Sequence, residues 1–440
     1  MRPTKLVVTL FVVCAVSGLV ISACSDDPAE TDATETDSQV TTDADTDTTT
    51  SGRPLLGGRA EAYDYSRSPA RVLSTDAIVA DLSEVVVIPL DLVGIPWQSF
   101  GEEALQPSEL PGLWLERVNA MKAAAAELGM PVILAISPIT EAADSLAPDA
   151  REQSGLLVLN DRWRPACYDP SSDGNPTKWR DAYARFAVWA VQQFEPRWIV
   201  LGQRMNRYES NCGEKAYNAV LDYAGEAHRR IQTLADAAVP LPPPTTVVSV
   251  DVEDLHGFPS KPGRCAADTP EACFATRMGL LDNVVADTLG LETYPAAALS
   301  EDEVFDTGWL TRVIDARPDL PTAVVGTDIP AVEIARNVQF CPPLLESSPA
   351  IQSQWADQVL SDAKDAAMAF VIWRTQRDLL DPAAVAPCQC GGDDALLCQH
   401  LDQLNAKIDD IKRTTVGGLV AADGTERAAA SVWRQTLLSP

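Results

Sequence analysis

At 440 residues, with 46% hydrophobic and 22% charged residues, the chain is long enough to bury a sizeable core and too apolar to be disordered throughout. Acidic residues outnumber basic ones 63 to 34, giving a formal net charge of −29, and no basic stripe breaks the excess, which argues against nucleic acid as a partner. The chain has three histidines, none at ligand spacing, so neither a metal centre nor another cofactor is expected.

Arg2 and Lys5 precede an apolar run from Leu6 to Val20, the layout of an export signal. The run ends in Ile21-Ser22-Ala23-Cys24, which resembles the lipobox of bacterial lipoproteins. The resemblance implies a signal peptide over residues 1–23, cleavage before Cys24, and acylation of that cysteine, with membrane lipid as the partner. Several acyl chains, at about 0.8 kcal/mol per buried methylene, hold a protein stably at a bilayer. The expected location is the bacterial cell envelope. Ser25 points to the outer membrane by analogy with enteric bacteria, while the face remains open. Residues 24–52 are Asp, Glu, Thr, Ser and Ala almost throughout, with no Lys or Arg before Arg53. Such a stretch cannot bury enough surface to offset ordering, and its like charges extend it, so it reads as a disordered tether.

From about Arg53 to Pro440 no second linker or repeat interrupts the chain, and strand and helix signals alternate. Glu61 to Ser66 is a weak first strand. Val85 to Leu90, Val132 to Ile136, Trp198 to Leu201 and Thr246 to Val250 follow as the second to fifth. Val284 to Leu291, Ala323 to Val325 and Ala369 to Trp373 complete eight. Most are short apolar runs, as expected of strands covered on both faces. Between them, Leu115, Val118, Met121, Ala125 and Leu128 recur at helical spacing and stop at Gly129. Tyr183, Phe186, Ala187, Ala190 and Phe194 form a second stripe, and Tyr217, Val220, Leu221, Ala224 and Ile231 a third. His228, beside the third stripe, reads as a packed or surface histidine rather than a base. An Asp423-Gly424 turn precedes a last helix bearing Trp433. The count predicts a single-domain (β/α)8 TIM barrel of class α/β, with its site at the strand C-termini. A doubly wound sheet would require a glycine-rich phosphate turn after an early strand, and none is present.

Once Cys14 and Cys24 are set aside, Cys167, Cys212, Cys265, Cys273, Cys341, Cys388, Cys390 and Cys398 remain. An even set in an exported chain reads as disulfides. Proximity suggests Cys265–Cys273, and Cys167–Cys212 would tie two loops at one end of the domain.

Following the strands to their ends yields the candidate site. The second leads to Asp91 and the loop Gly94-Ile95-Pro96-Trp97. The fourth leads to Gln203, Arg204, Asn206 and Arg207, with Glu209 close behind. The fifth leads to Asp251, Glu253, Asp254 and His256, and the sixth to Glu292-Thr293-Tyr294-Pro295. The seventh leads to Thr327-Asp328-Ile329-Pro330, and the eighth to Trp373-Arg374 with Asp378 beyond.

In their shared order, the Gly-Ile-Pro-Trp loop, Leu201-Gly202 through Asn206-Arg207-Tyr208, Leu291 to Pro295, Thr327 to Pro330 and Val371 to Arg374 resemble the retaining TIM-barrel glycoside hydrolases, the clan that includes cellulases and endo-galactanases. So does the ending from Gly418 to Trp433. The resemblance implies an acid/base glutamate after an asparagine at strand four and a nucleophile glutamate at the end of strand seven, with the two carboxyls about 5 Å apart. Carried over, Asn206 matches the asparagine, Arg207 stands at the acid/base position and Gly326 at the nucleophile position. Arginine does not act as a general acid near neutral pH, and glycine supplies no nucleophile. The resemblance therefore implies a degenerate, carbohydrate-related barrel that binds an oligo- or polysaccharide through Trp97, Asn206, Arg207, Tyr294 and Trp373. Two alternatives stay open: an active hydrolase with relocated carboxylates, drawn from Asp328, Glu292, Glu209 and Glu253, and a non-catalytic envelope scaffold.

Overall fold

The computed structural model describes residues 52–59, 80–102, 109–169, 175–236, 242–257, 269–295, 308–331, 347–378, 417–421 and 424–439. The signal, Cys24, the tether up to residue 51, and the strand expected at Glu61 to Ser66 lie outside these. Among the described residues no helix is long and apolar enough to cross a membrane.

The elements run β1 (Leu55–Arg59), β2 (Val85–Pro89), α1 (Trp97–Phe100), α2 (Gly112–Leu128), β3 (Val132–Ala135), β4 (Asp149–Gln153), β5 (Leu156–Asn160), α3 (Pro176–Phe194) and β6 (Trp198–Val200). They continue with α4 (Asn206–Cys212), α5 (Glu214–Gln232), β7 (Thr245–Asp251), α6 (Val252–Leu255), α7 (Pro270–Met278), β8 (Thr288–Thr293), α8 (Thr311–Ala316), β9 (Thr322–Thr327), α9 (Pro349–Asp365), β10 (Phe370–Trp373) and α10 (Ala428–Leu437). Eight strands close a parallel barrel in the order β1-β10-β9-β8-β7-β6-β3-β2, while β4 and β5 form a separate antiparallel hairpin. The TIM barrel expected from the strand count is the observed fold.

The first strand is a correction. It is Leu55–Arg59, pairing with β10 on one side and β2 on the other. Leu-Leu-Gly-Gly-Arg carries a weak strand signal because glycine lowers strand preference. The barrel needs that glycine: a Cβ on Gly57 would lie 2.6 Å from Val85 Cγ1 and 2.8 Å from Ile372 Cδ1, on both flanking strands.

Side chains alternate across the barrel wall. Val85, Val87, Ile133, Ala135, Trp198, Val200, Val247, Ala323, Phe370 and Ile372 pack together as the interior. Trp198 on β6 meets Phe370 on β10 edge-to-face at 5.3 Å, although those strands are not neighbours. The alternate set, including Val86, Leu134, Ile199, Val248, Leu291, Val324, Val371 and Trp373, packs with the helices. Both bulges fall in the seventh strand. Leu291 pairs with Val324 but Glu292 with Gly326, and Val371 pairs with Val324 but Trp373 with Thr327. The extra residue keeps Gly326 beside Glu292 on the inward face.

The three apolar stripes fall on α2, α3 and α5, and Gly129 ends α2 with φ 63°. His228 lies on α5 with Nδ1 2.7 Å from Thr246 Oγ1, a packing role remote from the strand ends. Cys167–Cys212 forms a disulfide. Cys273 is also disulfide-bonded, whereas Cys265, Cys341, Cys388, Cys390 and Cys398 lie outside the described residues. Cys167 and Cys212 are 45 residues apart, so replacing both by alanine is expected to lower stability by about 2–4 kcal/mol. Urea unfolding of the two chains side by side checks this; coincident midpoints would contradict it.

Candidate functional site

The C-terminal ends of the strands form a mouth whose inward stations carry both basic and acidic side chains. β1 contributes Arg59, β7 Ser249 and Asp251, β8 Glu292 and β9 Gly326. β6 ends at Val200, and the chain then turns through Arg204, whose φ of 48° is left-handed. Its amide donates to Ser249 Oγ at 3.0 Å, fixing the turn against β7. Past β10, Arg374 is held by its amide donating to Thr327 O at 2.8 Å.

Three arginines meet three acids here. Arg204 Nη2 and Arg374 Nη2 both donate to Glu141 Oε1, at 3.0 and 2.5 Å. Arg204 Nε lies 3.5 Å from Glu292 Oε2, and Ser249 Oγ donates to Glu292 Oε1 at 2.5 Å. Arg59 Nη2 lies 3.6 Å from Asp91 Oδ1, and Gln203 Nε2 donates to Asp91 Oδ2 at 2.9 Å. Burial pushes the Glu141 carboxyl up, but the guanidiniums of Arg374, Arg204 and Arg59 override that push and hold it well below the usual carboxylate range. Burial wins at Asp91, which is raised despite Arg59.

Tyr294 lies beneath this cluster. Its ring carries the Arg204 and Arg374 guanidiniums at 5.6 and 5.4 Å, and its hydroxyl donates to Glu292 Oε2 at 3.3 Å. Burial holds the phenol well above its ordinary range. The hydroxyl also fills the space a side chain at 326 would need: a Cβ there would collide with Tyr294 Oη and lie 3.4 Å from Cζ and 3.6 Å from Glu292 Cγ. Gly326→Ala is therefore expected to destabilise by about 1–3 kcal/mol, as overpacking does. Tyr294→Phe, which deletes the colliding oxygen, should recover at least half of that loss. Denaturant unfolding of the four chains of this cycle measures the coupling, and simple additivity would refute the steric account.

A second buried cluster stands behind β7. Asn206 Nδ2 donates to Asp251 O and Asp254 Oδ2, both at 2.9 Å, and Asn206 Oδ1 accepts from the Asp251 amide at 2.7 Å. Arg277 is ion-paired to Asp254 and lies 3.2 Å from Glu209 Oε2. Arg207 Nη1 is 3.7 Å from Asp251 Oδ2.

The expected site residues divide among these places. Glu292 and Tyr294 are at the mouth. Asn206 is fully buried as a clamp between α4 and β7, while Arg207 lies one position further along α4; the side chains from this segment that reach the mouth cluster are Gln203 and Arg204. Trp97 and Trp373, expected as sugar-facing rings, are fully buried. Trp97 Nε1 donates to Ala147 O and its ring stacks on Trp163 at 5.2 Å. Trp373 shares the outward parity of Val371, with Nε1 donating to Gly417 O at 2.9 Å and its ring edge-on to Trp433. Both are corrections: the alternation of the wall turns the Trp373 ring towards the helices, and Trp97, the first residue of α1, packs against Trp163, Tyr183 and Tyr223. Asp328 is buried and accepts from Thr375 Oγ1 at 3.5 Å. Glu209 sits on α4 against Arg277. Glu253 accepts from Thr293 Oγ1 at 2.8 Å and Trp309 Nε1 at 3.4 Å, on the outward side of β8. Burial, with Asp251 nearby, pushes its carboxyl up to about 8.

Sequence reasoning passed over Arg59 and Glu141. Arg59 was lost with the misplaced first strand. Glu141 follows β3, whose end was not traced to its loop, and that tracing is the signal that would have found it. Among the described residues no group of three His, Cys, Asp or Glu side chains could hold a metal ion.

No known protein family and no curated protein matches this sequence. Solved structures do match. GH5_18 from Streptomyces cattleya in complex with GlcNAc is similar at 11% identity and TM-score 0.52, over 88% of this chain and 80% of that one. A variant GH5_18 from Bifidobacterium longum subsp. longum, in complex with Manb1-4GlcNAc, is similar at 11% identity and TM-score 0.50, over 87% and 78%. The exo-beta-1,4-mannosidase Op5Man5 from Opitutaceae bacterium strain TAV5 is similar at 12% identity and TM-score 0.50, over 88% and 59%. At such identities the likeness concerns the fold, the TIM barrel on which these glycoside hydrolases are built.

Proposed function

We propose that this chain is a saccharide-binding barrel that does not hydrolyse glycosides by the two-glutamate route, carried on the cell envelope by lipid on Cys24. The observation that carries this reading is the pair of stations at the ends of β6 and β9. Arg204 presents a guanidinium at the first, and Gly326 presents no side chain at the second, where the Tyr294 hydroxyl fills the space. Retention needs one carboxyl to donate a proton and another to attack. Of the two carboxylates between these stations, Glu292 is engaged by Arg204, Ser249 and Tyr294, and Asp251 lies 3.7 Å from Arg207 and accepts from the Asp254 amide. The saccharides bound by the similar GH5_18 structures support a carbohydrate ligand. Fold likeness alone fixes no activity, so the argument rests on the mouth.

The test is a glycan array and calorimetry on the purified full chain, beside turnover assays on aryl glycosides and oligosaccharides. Binding without turnover is the expected result. Sustained turnover, or no saccharide bound at all, defeats the reading. For the anchor, detergent-phase partitioning that Cys24→Ala leaves unchanged would remove the lipid.

A further inference from the structure

Glu141 occupies an unusual position among the mouth charges. It lies in a tight loop closed by the Ile139–Leu146 bridge and by the Thr140 amide donating to Ser145 O at 3.0 Å. Asn211 Nδ2 pins that loop from outside, donating to Ala142 O at 3.0 Å and Ala143 O at 2.9 Å. The Glu141 side chain reaches back over the mouth and places one oxygen between Arg204 and Arg374. The two arginine side chains are 8% and 9% exposed, whereas Glu141 is 46% exposed. Of the three side chains, that of Glu141 is the one open to solvent. The guanidiniums beneath are held on the Tyr294 ring, and Arg204 is further fixed by Glu292. Two cations on one aromatic ring, aimed at one carboxylate oxygen, form a preorganised receptor for a planar anion.

We propose that Arg204 and Arg374 form the carboxylate-recognition site for an acidic saccharide of the uronic-acid class, and that Glu141 is an internal stand-in which the ligand carboxylate displaces. The inference rests on the saccharide-binding reading and names the chemistry of the sugar. Two guanidiniums this deeply covered are stabilised by an anion over them in either state. The tethered Glu141 supplies it when no ligand is bound, at the high effective concentration of an intramolecular group. Glu141 stays ionised because the arginines hold its carboxyl low, so acidification within the ordinary range does not vacate the site. An uncharged sugar gains nothing from displacing it, whereas a uronate exchanges one carboxylate for another and adds the contacts of its ring.

Calorimetry on the full chain tests this with uronate oligosaccharides of several backbones, such as oligogalacturonate, alginate and hyaluronan fragments, each beside its methyl ester, in which the charge alone is removed. The expected result is that at least one acid binds about tenfold or more tighter than its ester. Glu141→Gln should tighten that acid about tenfold further and widen the ratio of acid to ester affinity, since it removes the internal competitor. Arg374→Gln should erase the preference for acid over ester. Equal affinity of acid and ester across the panel overturns the proposal while leaving saccharide binding in place. So does inorganic sulfate competing as well as the uronate, which would make the pair a general anion site. Absence of binding by any saccharide, neutral or acidic, removes the functional reading and this inference together. The comparison of acid with ester in the unaltered chain keeps the test valid if a variant fails to fold.

Discussion

Asp254→Ala is expected to destabilise the barrel by about 3–5 kcal/mol, the loss typical of stranding one member of a buried ion pair. The Arg277 and Asp254 side chains are 6% and 4% exposed. Arg277 Nε also donates to Asp254 O at 2.6 Å, so the guanidinium cannot swing out to water without breaking a backbone contact. Asp254 in turn accepts from Asn206 Nδ2 at 2.9 Å and Ser210 Oγ at 2.8 Å, and Asp251 Oδ1 caps the Asp254 amide at 2.8 Å. Removing the carboxylate leaves Arg277 with Glu209 at 3.2 Å and the Asp254 carbonyl, and takes from the Asn206 amide one of its two acceptors, Asp251 O being kept. Replacing both charges, as in Asp254→Ala with Arg277→Met, should recover much of the loss, because the pair itself offsets little more than its own desolvation. Urea unfolding of the single and double variants provides the measurement. A single-variant loss below about 1 kcal/mol would contradict the stranded-charge account.

Stability is expected to fall as pH rises through the neutral range, with Glu253 as the largest identifiable source. Burial and the neighbouring Asp251 raise its folded pKa to about 8, against about 4.3 for an unfolded glutamate. Between those values the folded chain holds a proton that the unfolded chain has released, so stability declines with pH there. The contribution is fully present below about pH 4 and is lost as pH passes through the folded value. At about 1.4 kcal/mol per unit, several kcal/mol depend on it. Glu253→Gln replaces the protonated acid with a neutral amide of the same shape. It should flatten the decline and stabilise the chain above about pH 8 relative to the parent. Chemical unfolding at intervals from pH 5 to 9 gives both curves, and parallel curves would exclude Glu253 as the source.

The barrel was largely legible in the sequence because most of its strands are short apolar runs covered on both faces. The exception, β1, is two leucines, two glycines and an arginine, and Gly57 answers to the closeness of Val85 and Ile372 and Gly58 to that of Gln376. That requirement is tertiary and leaves no local signal. At the mouth, spacing located the right segments but assigned some side chains to the wrong face. The Asn206-Arg207 pair looked like an acid/base station, yet the strand has already ended at Val200, the chain turns at Arg204, and Asn206 begins a helix. Trp373 could have been placed by parity alone, since Phe370 and Ile372 fill the interior. Glu141 was out of reach of any strand-end count that stopped at β3.

Tyr294 also governs how this barrel can change. Any substitution at Gly326 brings a Cβ into the hydroxyl, while Tyr294 simultaneously holds Glu292 and carries two guanidiniums. A side chain at 326 becomes tolerable after Tyr294 has altered, and altering Tyr294 first loosens the platform under Arg204 and Arg374. The order of steps is therefore constrained. A library randomised at 326 alone should yield glycine among its stable members, whereas one randomised at 294 and 326 together opens routes that single replacements never reach.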